Sequence, residues 1–298
     1  MRLVNLRGAQ GMSKLGVVKG ANVLDLAELA LAAGRAAPFV ASMGLFLEAG
    51  AEAQQFVASL LQDAGGDASG KPLQFVDLGP PVPRPGKIVA VGLNYKDHAG
   101  EADFQLPSAP LIFAKFPNSI SGPRDEIVFT DESMQVDSEA EVAVVIGRRA
   151  KSITADSAYQ FIAGYMSLND VSARNWQFAD TQWTRGKSCD TFCPTGPWLT
   201  TRDEVVDPHN LRIRGRLNSQ VLQESNTQHI IFRIPELLSY ISASITLEPG
   251  DIIATGTPSG VGAFRKPPIF MKHGDIAEVE IEKLGLLRNQ VRVSHAHG

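Results

Sequence analysis

The order of apolar and polar positions divides the chain into many short segments that are typical of β-strands. Apolar residues alternate with polar ones, or form runs of about four to eight residues, which is the usual length of a strand. These segments do not alternate regularly with helices, as the strands of a Rossmann sheet do. The predicted strands span residues 87–93, 139–146, 163–168, 211–218 and 251–255, with a hairpin-like pair between 277 and 293.

Helical segments are fewer and lie mostly near the amino terminus. Residues 24–33 and 46–63 are rich in Ala and Leu and predict two helices. A third helix is predicted to open at Thr154, and a fourth near Pro235, because Pro suits the first helical turn. More strands than helices, without βαβ alternation, predict an α+β, β-rich fold of the mixed β-roll or barrel type.

A proline-rich segment predicts a boundary between a small and a large domain. Residues 79–86 contain four prolines and two glycines, which disfavour both helix and sheet and form a semi-rigid linker. We therefore expect a small α+β domain over residues 1–78 and a catalytic domain over residues 87–298.

Composition narrows the classes of protein to which the chain can belong. The 298 residues include 28 Lys and Arg against 32 Asp and Glu, so the net charge is −4. This balance gives no electrostatic basis for binding nucleic acid, and no apolar run reaches the ~18–20 residues that span a bilayer. Cys189 and Cys193 lack further ligands at zinc-finger spacing and predict buried thiols. We expect a cytoplasmic protein, or one from an organelle matrix if a presequence has been removed.

Two acidic side chains precede a strongly apolar strand. Glu139 and Glu141 are two residues apart, so they share one face of the predicted strand 139–146. Like charges side by side are costly unless a cation offsets them. The pair indicates either a solvated sheet edge or a site for a hard divalent cation, which prefers oxygen ligands.

Three further segments carry groups that could belong to such a site. Asp170 follows an apolar run and is either a turn cap or a third carboxylate ligand for Mg²⁺ or Mn²⁺. Lys187 lies in a Gly-Lys-Ser sequence that lacks the preceding glycine and the flanking elements of a phosphate loop. It is therefore either a surface lysine or a cation beside a metal. The glycine-rich segment 256–262 is either a tight turn or a cradle in which Thr257 holds a carboxylate.

One histidine has a carboxylate neighbour at helical spacing. His98 and Glu101 are three residues apart and would be adjacent on a helical turn. A carboxylate beside a histidine fixes the tautomer and raises the basicity of the ring, as a general base that activates water requires. A surface ion pair explains the same spacing.

Six motifs, taken together and in order, resemble the fumarylacetoacetate hydrolase (FAH) family over about residues 87–293. The segment 264–270 and the Met-Arg-Leu-Val start are similar to the fumarylacetoacetate hydrolase domain-containing protein 2 group in particular. The six motifs are Gly92-x-Asn94-Tyr95-x-x-His98-x-x-Glu101, Pro110-x-x-Phe113-x-Lys115, Glu139-x-Glu141, Asp170-x-Ser172-Ala173-Arg174-x-x-Gln177, Gly186-Lys187-Ser188-x-Asp190 and Gly256-Thr257-Pro258-x-Gly260-Val261-Gly262.

The resemblance implies a fold, a metal and a set of site residues. The fold would be the mixed β-roll called the FAH fold, usually in a homodimer. Asn175 departs from the family pattern, in which many relatives carry Asp, and so removes a charge beside the pocket. By resemblance, Mg²⁺, Mn²⁺ or Ca²⁺ binds Glu139, Glu141 and Asp170; Lys187 lies beside the metal; Arg174, Gln177, Thr257, Tyr95 and Lys115 contact the substrate; and His98 and Glu101 lie on a lid.

The expected reaction is metal-dependent hydrolysis of a carbon–carbon bond in a 2,4-diketo acid such as an acylpyruvate or fumarylpyruvate. His98, oriented by Glu101, would activate water, and the metal together with Lys187 would stabilise the enolate of the departing 2-oxo acid. The same chemistry serves an oxaloacetate tautomerase or decarboxylase, or a 2-oxo-dienoate isomerase or hydratase, and these are the alternatives. A non-catalytic scaffold that uses a metal only for stability is a hypothesis of another class.

Overall fold

The computed structural model describes residues 1–8, 12–65, 70–97 and 107–294 of the chain. Over these residues the fold is β-rich with a few helices, which confirms the predicted α+β class. None of the helices in these ranges has the length and apolar character needed to cross a bilayer.

The first 78 residues form a β-meander followed by helices. Strands β1 (Arg2–Arg7), β2 (Ser13–Lys19) and β3 (Asn22–Asp25) lead into helix α1 (Leu26–Ala32). The prediction of a single helix over residues 46–63 is wrong, because this segment contains parts of two helices. Two helices, α2 (Met43–Ala49) and α3 (Ala51–Asp63), meet at Gly50, whose φ of 57° interrupts the helical path. Short strands β4 (Lys71–Pro72) and β5 (Leu78–Gly79) complete this part.

A large mixed sheet crosses the molecule and carries strands from both predicted domains. β1 pairs with β14 (Cys193–Thr201), so residues 1–78 extend the sheet of the rest of the chain. The boundary at residues 79–86 stays a prediction. Along the sheet the strand order is β4-β3-β2-β1-β14-β12-β11-β17-β6-β7, and β8 pairs with β14 at the side. The further strands of this sheet are β6 (Ile88–Gly92), β7 (Leu111–Lys115), β8 (Ile120–Ser121), β11 (Ala140–Ile146), β12 (Ile162–Asn169), β14 (Cys193–Thr201) and β17 (Ile252–Ala254).

A second sheet has the order β16-β15-β18-β19-β9, and a two-stranded ribbon pairs β10 with β13. Two short helices, α4 (Arg174–Ala179) and α5 (Thr184–Lys187), follow the ribbon, and α6 (Ile234–Ser244) comes later. The helix predicted to open at Thr154 is a 3-10 helix, Ala155–Phe161. The strands of the second sheet and of the ribbon are β9 (Ile127–Phe129), β10 (Val136–Asp137), β13 (Ser172–Ala173), β15 (Arg212–Leu217), β16 (Gln220–Asn226), β18 (Ile276–Ile281) and β19 (Gly285–Val293).

Strand β11 lies at the centre of the molecule and is buried on both faces. Ala143 and Val145 belong to the core that β11 shares with helices α1–α3. Val142 and Val144 belong to a second core, which also includes residues of the second sheet and of α6. The solvated sheet edge considered for Glu139 and Glu141 is therefore wrong, and any charge on these side chains lies in the interior.

The two cysteines are free thiols. Cys193 is buried in β14, and burial raises the pKa of its thiol to about 12. Cys189 is partly buried, and burial likewise raises the pKa of its thiol. Neither belongs to a cluster of potential metal ligands among the described residues.

Candidate active site

Three buried carboxylates meet where β11 and β12 run side by side. Ala140 lies opposite Asn169 in this antiparallel pair, and the Asp170 main-chain N–H donates to the Glu139 carbonyl at 2.9 Å. This register brings Glu139, Glu141 and Asp170 together, with one oxygen of each within 4.8 Å of the others. Their exposed fractions are 6%, 2% and 0%. The three predicted metal ligands therefore form one cluster.

Two buried cations hold two of these carboxylates. Lys187 Nζ donates to Glu139 Oε2 at 2.6 Å and to Asp170 Oδ2 at 2.9 Å. Burial alone would lower the pKa of Lys187, but the charges of Asp170 and Glu139 raise it above its usual value. Arg174 Nη2 lies 2.7 Å from Glu139 Oε1. Both cations therefore keep their charge.

Glu141 is the carboxylate that has no cation of its own. Its Oε2 accepts from the Gly256 main-chain N–H at 2.8 Å, and no Lys or Arg of the described residues forms an ion pair with it. Burial, followed by the charges of Asp170 and Glu139, raises the pKa of Glu141 well above its usual value. A buried carboxylate in this position is costly without a cation, so the oxygen donor set fits a hard divalent metal ion.

Lys115 lies behind the cluster. Its Nζ is 2.7 Å from Asp170 Oδ1 and also donates to the Lys187 carbonyl. The side chain is fully buried and is not on the wall of the cavity that the carboxylates line. Lys115 therefore contacts Asp170 of the carboxylate cluster, and its predicted contact with substrate stays a prediction.

Arg174 and Gln177 lie on the cavity wall and orient each other. Four of the five Arg174 N–H groups point at protein oxygens: two at Asp137, one at Glu139 and one at Gln177 Oε1, the last at 2.9 Å. Because Gln177 Oε1 faces this guanidinium, its NH₂ group faces the other way. Gln177 therefore offers donors to a ligand, as recognition of a carboxylate requires.

Thr257 also lines the cavity, but its hydroxyl is already engaged. Oγ1 donates to the Ala140 carbonyl at 2.9 Å and accepts from Gln223 Nε2 at 2.8 Å. A hydroxyl has a single proton, so Thr257 can donate to a substrate carboxylate only by giving up Ala140. Tyr95 is fully buried and is not on the cavity wall; burial and then the charge of Glu141 raise the pKa of its hydroxyl.

The cavity has a charged wall and an apolar wall. Its volume is about 80 Å³, and the charged wall contains the three carboxylates together with Arg174 and Lys187. Phe113 and Trp183 of the apolar wall pack edge to face, with ring centroids 5.3 Å apart, and Lys187 Nζ lies 5.3 Å from the centroid of the Phe113 ring. A Cβ at Gly92 would lie 2.5 Å from the Trp183 ring, so glycine makes room for the indole. The aromatic residues of this wall are Phe113, Phe178, Trp183 and Phe264.

Four further residues concern the site: two are predicted catalytic residues, and two were not recognised from the sequence. His98 and Glu101 lie outside the described residues, so their roles stay predictions. Asp137 and Gln223 escaped notice, yet both are buried and bonded to site residues. Asp137 opens the acidic motif that contains Glu139, which is a usable signal, whereas nothing in the local sequence marks Gln223.

The chain is similar in sequence to known proteins over most of its length. Oxaloacetate tautomerase FAHD2A, mitochondrial, from Bos taurus is 52% identical over 213 residues, which are 71% of this chain and 68% of that protein. Oxaloacetate tautomerase fahd2, mitochondrial, from Xenopus laevis is 42% identical over 296 residues, 98% of this chain and 90% of that protein. Both relatives are named as mitochondrial proteins, so the cytoplasmic location of this chain stays a prediction.

A solved structure shows the same fold. Maleylpyruvate hydrolase from Sphingobium sp. SYK-6, in complex with manganese(II) ion and pyruvate, superposes with a TM-score of 0.79 at 31% identity and covers 99% of this chain and 100% of that chain. This likeness confirms the FAH fold. The family pattern described as fumarylacetoacetate (FAA) hydrolase C-terminal matches residues 87–292. The chain belongs to the fumarylacetoacetate hydrolase family.

Proposed function

We propose that this protein is a metal-dependent oxaloacetate tautomerase that interconverts the enol and keto forms of the acid. The observation that carries the proposal is the buried cluster of Glu139, Glu141 and Asp170 beside Lys187, in a chain 52% identical to a protein named as an oxaloacetate tautomerase. The hydrolysis of diketo acids that we expected first from the sequence becomes the second candidate. The comparisons favour its alternative, the tautomerase.

The charges of the site suit an anionic substrate once a divalent ion is bound. Four buried carboxylates, the three of the cluster and Asp137, face Lys115, Arg174 and Lys187. The ionised side chains therefore carry one net negative charge, and a divalent ion reverses its sign. Mg²⁺ and Mn²⁺ both accept such oxygen ligands. When bound, either ion supplies a Lewis acid that withdraws electron density from the 2-oxo oxygen of the substrate.

The side chains of the cavity bind and orient the substrate. Gln177 offers its NH₂ group, and Arg174 its remaining N–H, to a carboxylate of the substrate. Lys187 places a positive charge on the same wall and offsets negative charge that develops on the substrate oxygen as the proton moves. Because these side chains are almost fully buried, their interactions with the substrate are stronger than they would be in solvent.

The experiment that tests the proposal follows the ultraviolet absorbance of the enol form of oxaloacetate. Metal-stripped protein is compared with protein to which Mg²⁺ or Mn²⁺ has been restored, and the rates with free metal alone are subtracted. We expect decay of the enol that depends on both protein and metal. Coupling to lactate dehydrogenase measures pyruvate in parallel and separates tautomerisation from decarboxylation. Decay no faster than that with free metal would reject the tautomerase.

The second candidate is a carbon–carbon hydrolase of acylpyruvates. The likeness to maleylpyruvate hydrolase supports it, together with the His98 and Glu101 pair in the sequence. The test is pyruvate release from acetylpyruvate and fumarylpyruvate. If the hydrolase reaction is the true one, release depends on metal and falls roughly 10²–10⁴-fold in His98→Ala, as expected for loss of a general base. No release from either diketo acid, with turnover of oxaloacetate, would leave the tautomerase alone.

A further inference from the structure

Asp137 joins the glycine-rich loop to the charged wall of the site. It ends β10, lies opposite Ser172 of β13, and is almost fully buried. Its Oδ1 accepts from the main-chain N–H groups of Gly262 at 3.0 Å and Ser138 at 2.8 Å. Its Oδ2 accepts from the Ala263 N–H at 3.0 Å and from two N–H groups of Arg174. Five donors therefore converge on two oxygens.

The guanidinium that Asp137 holds is the one that contacts the cavity. Arg174 Nε and Nη2 lie 3.0 and 2.8 Å from Asp137 Oδ2. The same Nη2 lies 2.7 Å from Glu139 Oε1, and Nη1 lies 2.9 Å from Gln177 Oε1. The Arg174 guanidinium thus bonds both to Glu139, which lines the cavity, and to Asp137, which does not. Its position, and with it that of Glu139, depends on Asp137.

The approach of the loop to Asp137 requires glycine at position 262. A Cβ there would lie 1.9 Å from the Ile269 carbonyl oxygen and 2.7 Å from Asp137 Oδ1. At the other end of the loop, Gln223 Nε2 donates to Thr257 Oγ1 and to the Pro258 carbonyl, each at 2.8 Å. The loop is therefore fixed at both ends, and Asp137 provides the link at the end nearer Arg174.

We propose that Asp137 is a positioning residue that sets the metal affinity of the site by keeping Arg174 shared between itself and Glu139. When Asp137 is removed, Glu139 is the carboxylate among the described residues that remains paired with Arg174. The guanidinium is then free to close on both oxygens of Glu139 and to compete with the metal ion for them. The inference rests on the metal site of the proposed function.

Asparagine cannot replace Asp137. An amide has one acceptor oxygen and one NH₂ group. In one orientation the NH₂ meets the N–H groups of Gly262 and Ser138; in the other it meets those of Arg174 and Ala263. Groups that support a metal ligand from outside typically contribute 10–100-fold to metal affinity. We therefore expect D137N to bind Mn²⁺ 10–100-fold more weakly than the wild type.

The test is isothermal titration of Mn²⁺ into metal-stripped full-length protein. D251N is the matched control: Asp251 is equally buried and accepts from the Lys87 and Glu248 N–H groups, but it contacts neither Arg174 nor Glu139. We expect the Mn²⁺ affinity of D251N to stay within about twofold of that of the wild type, even if its melting temperature differs. Unchanged affinity in D137N, or an equal loss in D251N, would overturn the inference.

A double variant shows whether Asp137 acts through Arg174. The competing guanidinium is absent from both R174Q and D137N/R174Q, so we expect the two to bind Mn²⁺ with the same affinity, at least that of the wild type. Removing both partners leaves neither Asp137 nor Arg174 as an unpaired buried charge, so D137N/R174Q can be compared directly with the wild type if D137N or R174Q alone does not fold. Affinity in the double variant tenfold below that of R174Q, or below that of the wild type where R174Q does not fold, would overturn the inference. Failure of the wild type to bind Mn²⁺ would instead reject the proposed function.

Discussion

Replacing Glu141 with Gln removes the carboxylate that has no cation partner and leaves the rest of the site intact. The amide oxygen can still accept from the Gly256 N–H that Glu141 Oε2 now accepts at 2.8 Å. With this charge gone, the remaining carboxylates Asp137, Glu139 and Asp170 are balanced by the three buried cations. Burial raises the pKa of Glu141, which shows that an ionised carboxylate is costly at this position without a metal ion, so metal-free E141Q should be no less stable than the wild type.

The effect on metal-bound protein can be worked out from mass action. At an ion concentration 100 times the dissociation constant, binding stabilises the wild type by about 2.7 kcal/mol. Groups that support a metal ligand from outside contribute up to ~100-fold to metal affinity. Losing one of the three ligands themselves should weaken metal affinity by at least that factor. The same ion concentration then stabilises E141Q by only about 0.4 kcal/mol. The difference of about 2.3 kcal/mol corresponds to roughly 4 °C in melting temperature for a chain of this size.

The assay is thermal unfolding of E141Q and wild type, in a chelator and in Mg²⁺ or Mn²⁺. Glu278→Gln is the matched control, because Glu278 is nearly buried and pairs with Arg216 and Arg288 away from the site. We expect E278Q to lower the melting temperature equally with and without metal. If E141Q kept the full metal-dependent shift, or lost several degrees in chelator, the assignment of Glu141 as a metal ligand would be refuted.

Three further predictions follow from buried charges. Lys187→Met should lower the turnover of enol oxaloacetate roughly 10²–10³-fold, because a positioned positive charge is lost, without weakening Mn²⁺ binding in calorimetry; unchanged turnover would contradict this. Lys115→Met should lower the free energy of unfolding of metal-free protein by about 1.5–3 kcal/mol in urea, because Asp170 loses one of its two buried cations and keeps Lys187; a loss below ~0.5 kcal/mol would contradict this. Burial lowers the pKa of His209, so the unfolded chain takes up a proton near pH 6.5 before the folded protein does. Wild-type stability should therefore fall as the pH drops below about 6.5, and His209→Gln should flatten that fall in urea titrations at pH 7 and pH 5; equal slopes would show that His209 is not responsible.

Local geometry predicted that two of the three carboxylates lie together, whereas for Asp170 the sequence left a turn cap and a metal ligand as alternatives until the resemblance was considered. Side chains two apart on a strand share a face, so Glu139 and Glu141 could be placed together before the fold was known. Asp170 joins them because Ala140 pairs with Asn169 across β11 and β12. Strand register depends on the whole sheet and cannot be deduced from either strand alone.

Strand β14 shows why part of the fold was missed. Its sequence contains Pro194, Gly196 and Pro197, which locally predict a turn rather than a strand. Yet β14 pairs with β12 on one side and with β1 on the other. The β12–β14 register shifts between Tyr165 and Ser167, and this irregularity accommodates residues that a regular ladder excludes. Tertiary pairing therefore overrides the local preference.

The supporting residues of the site were the least predictable. Gln223 lies on β16, in a different sheet from the carboxylates, and reaches Thr257 only after the two sheets pack together. The motif of Lys115 suggested a contact with substrate and gave no sign of the ion pair that Lys115 forms with Asp170. Such contacts depend on which side chains face each other across the core. A linear sequence does not contain that information in local form.

The proposed function requires one divalent ion, held by Glu139, Glu141 and Asp170, for the turnover of oxaloacetate. Its most direct test measures two saturation curves on the same metal-stripped protein: Mn²⁺ binding by electron paramagnetic resonance, and the rate of enol decay. We expect the curves to coincide at one ion per chain, and E141Q to weaken both together. A rate that is independent of Mn²⁺, or tight binding retained in E141Q, would contradict the proposed function.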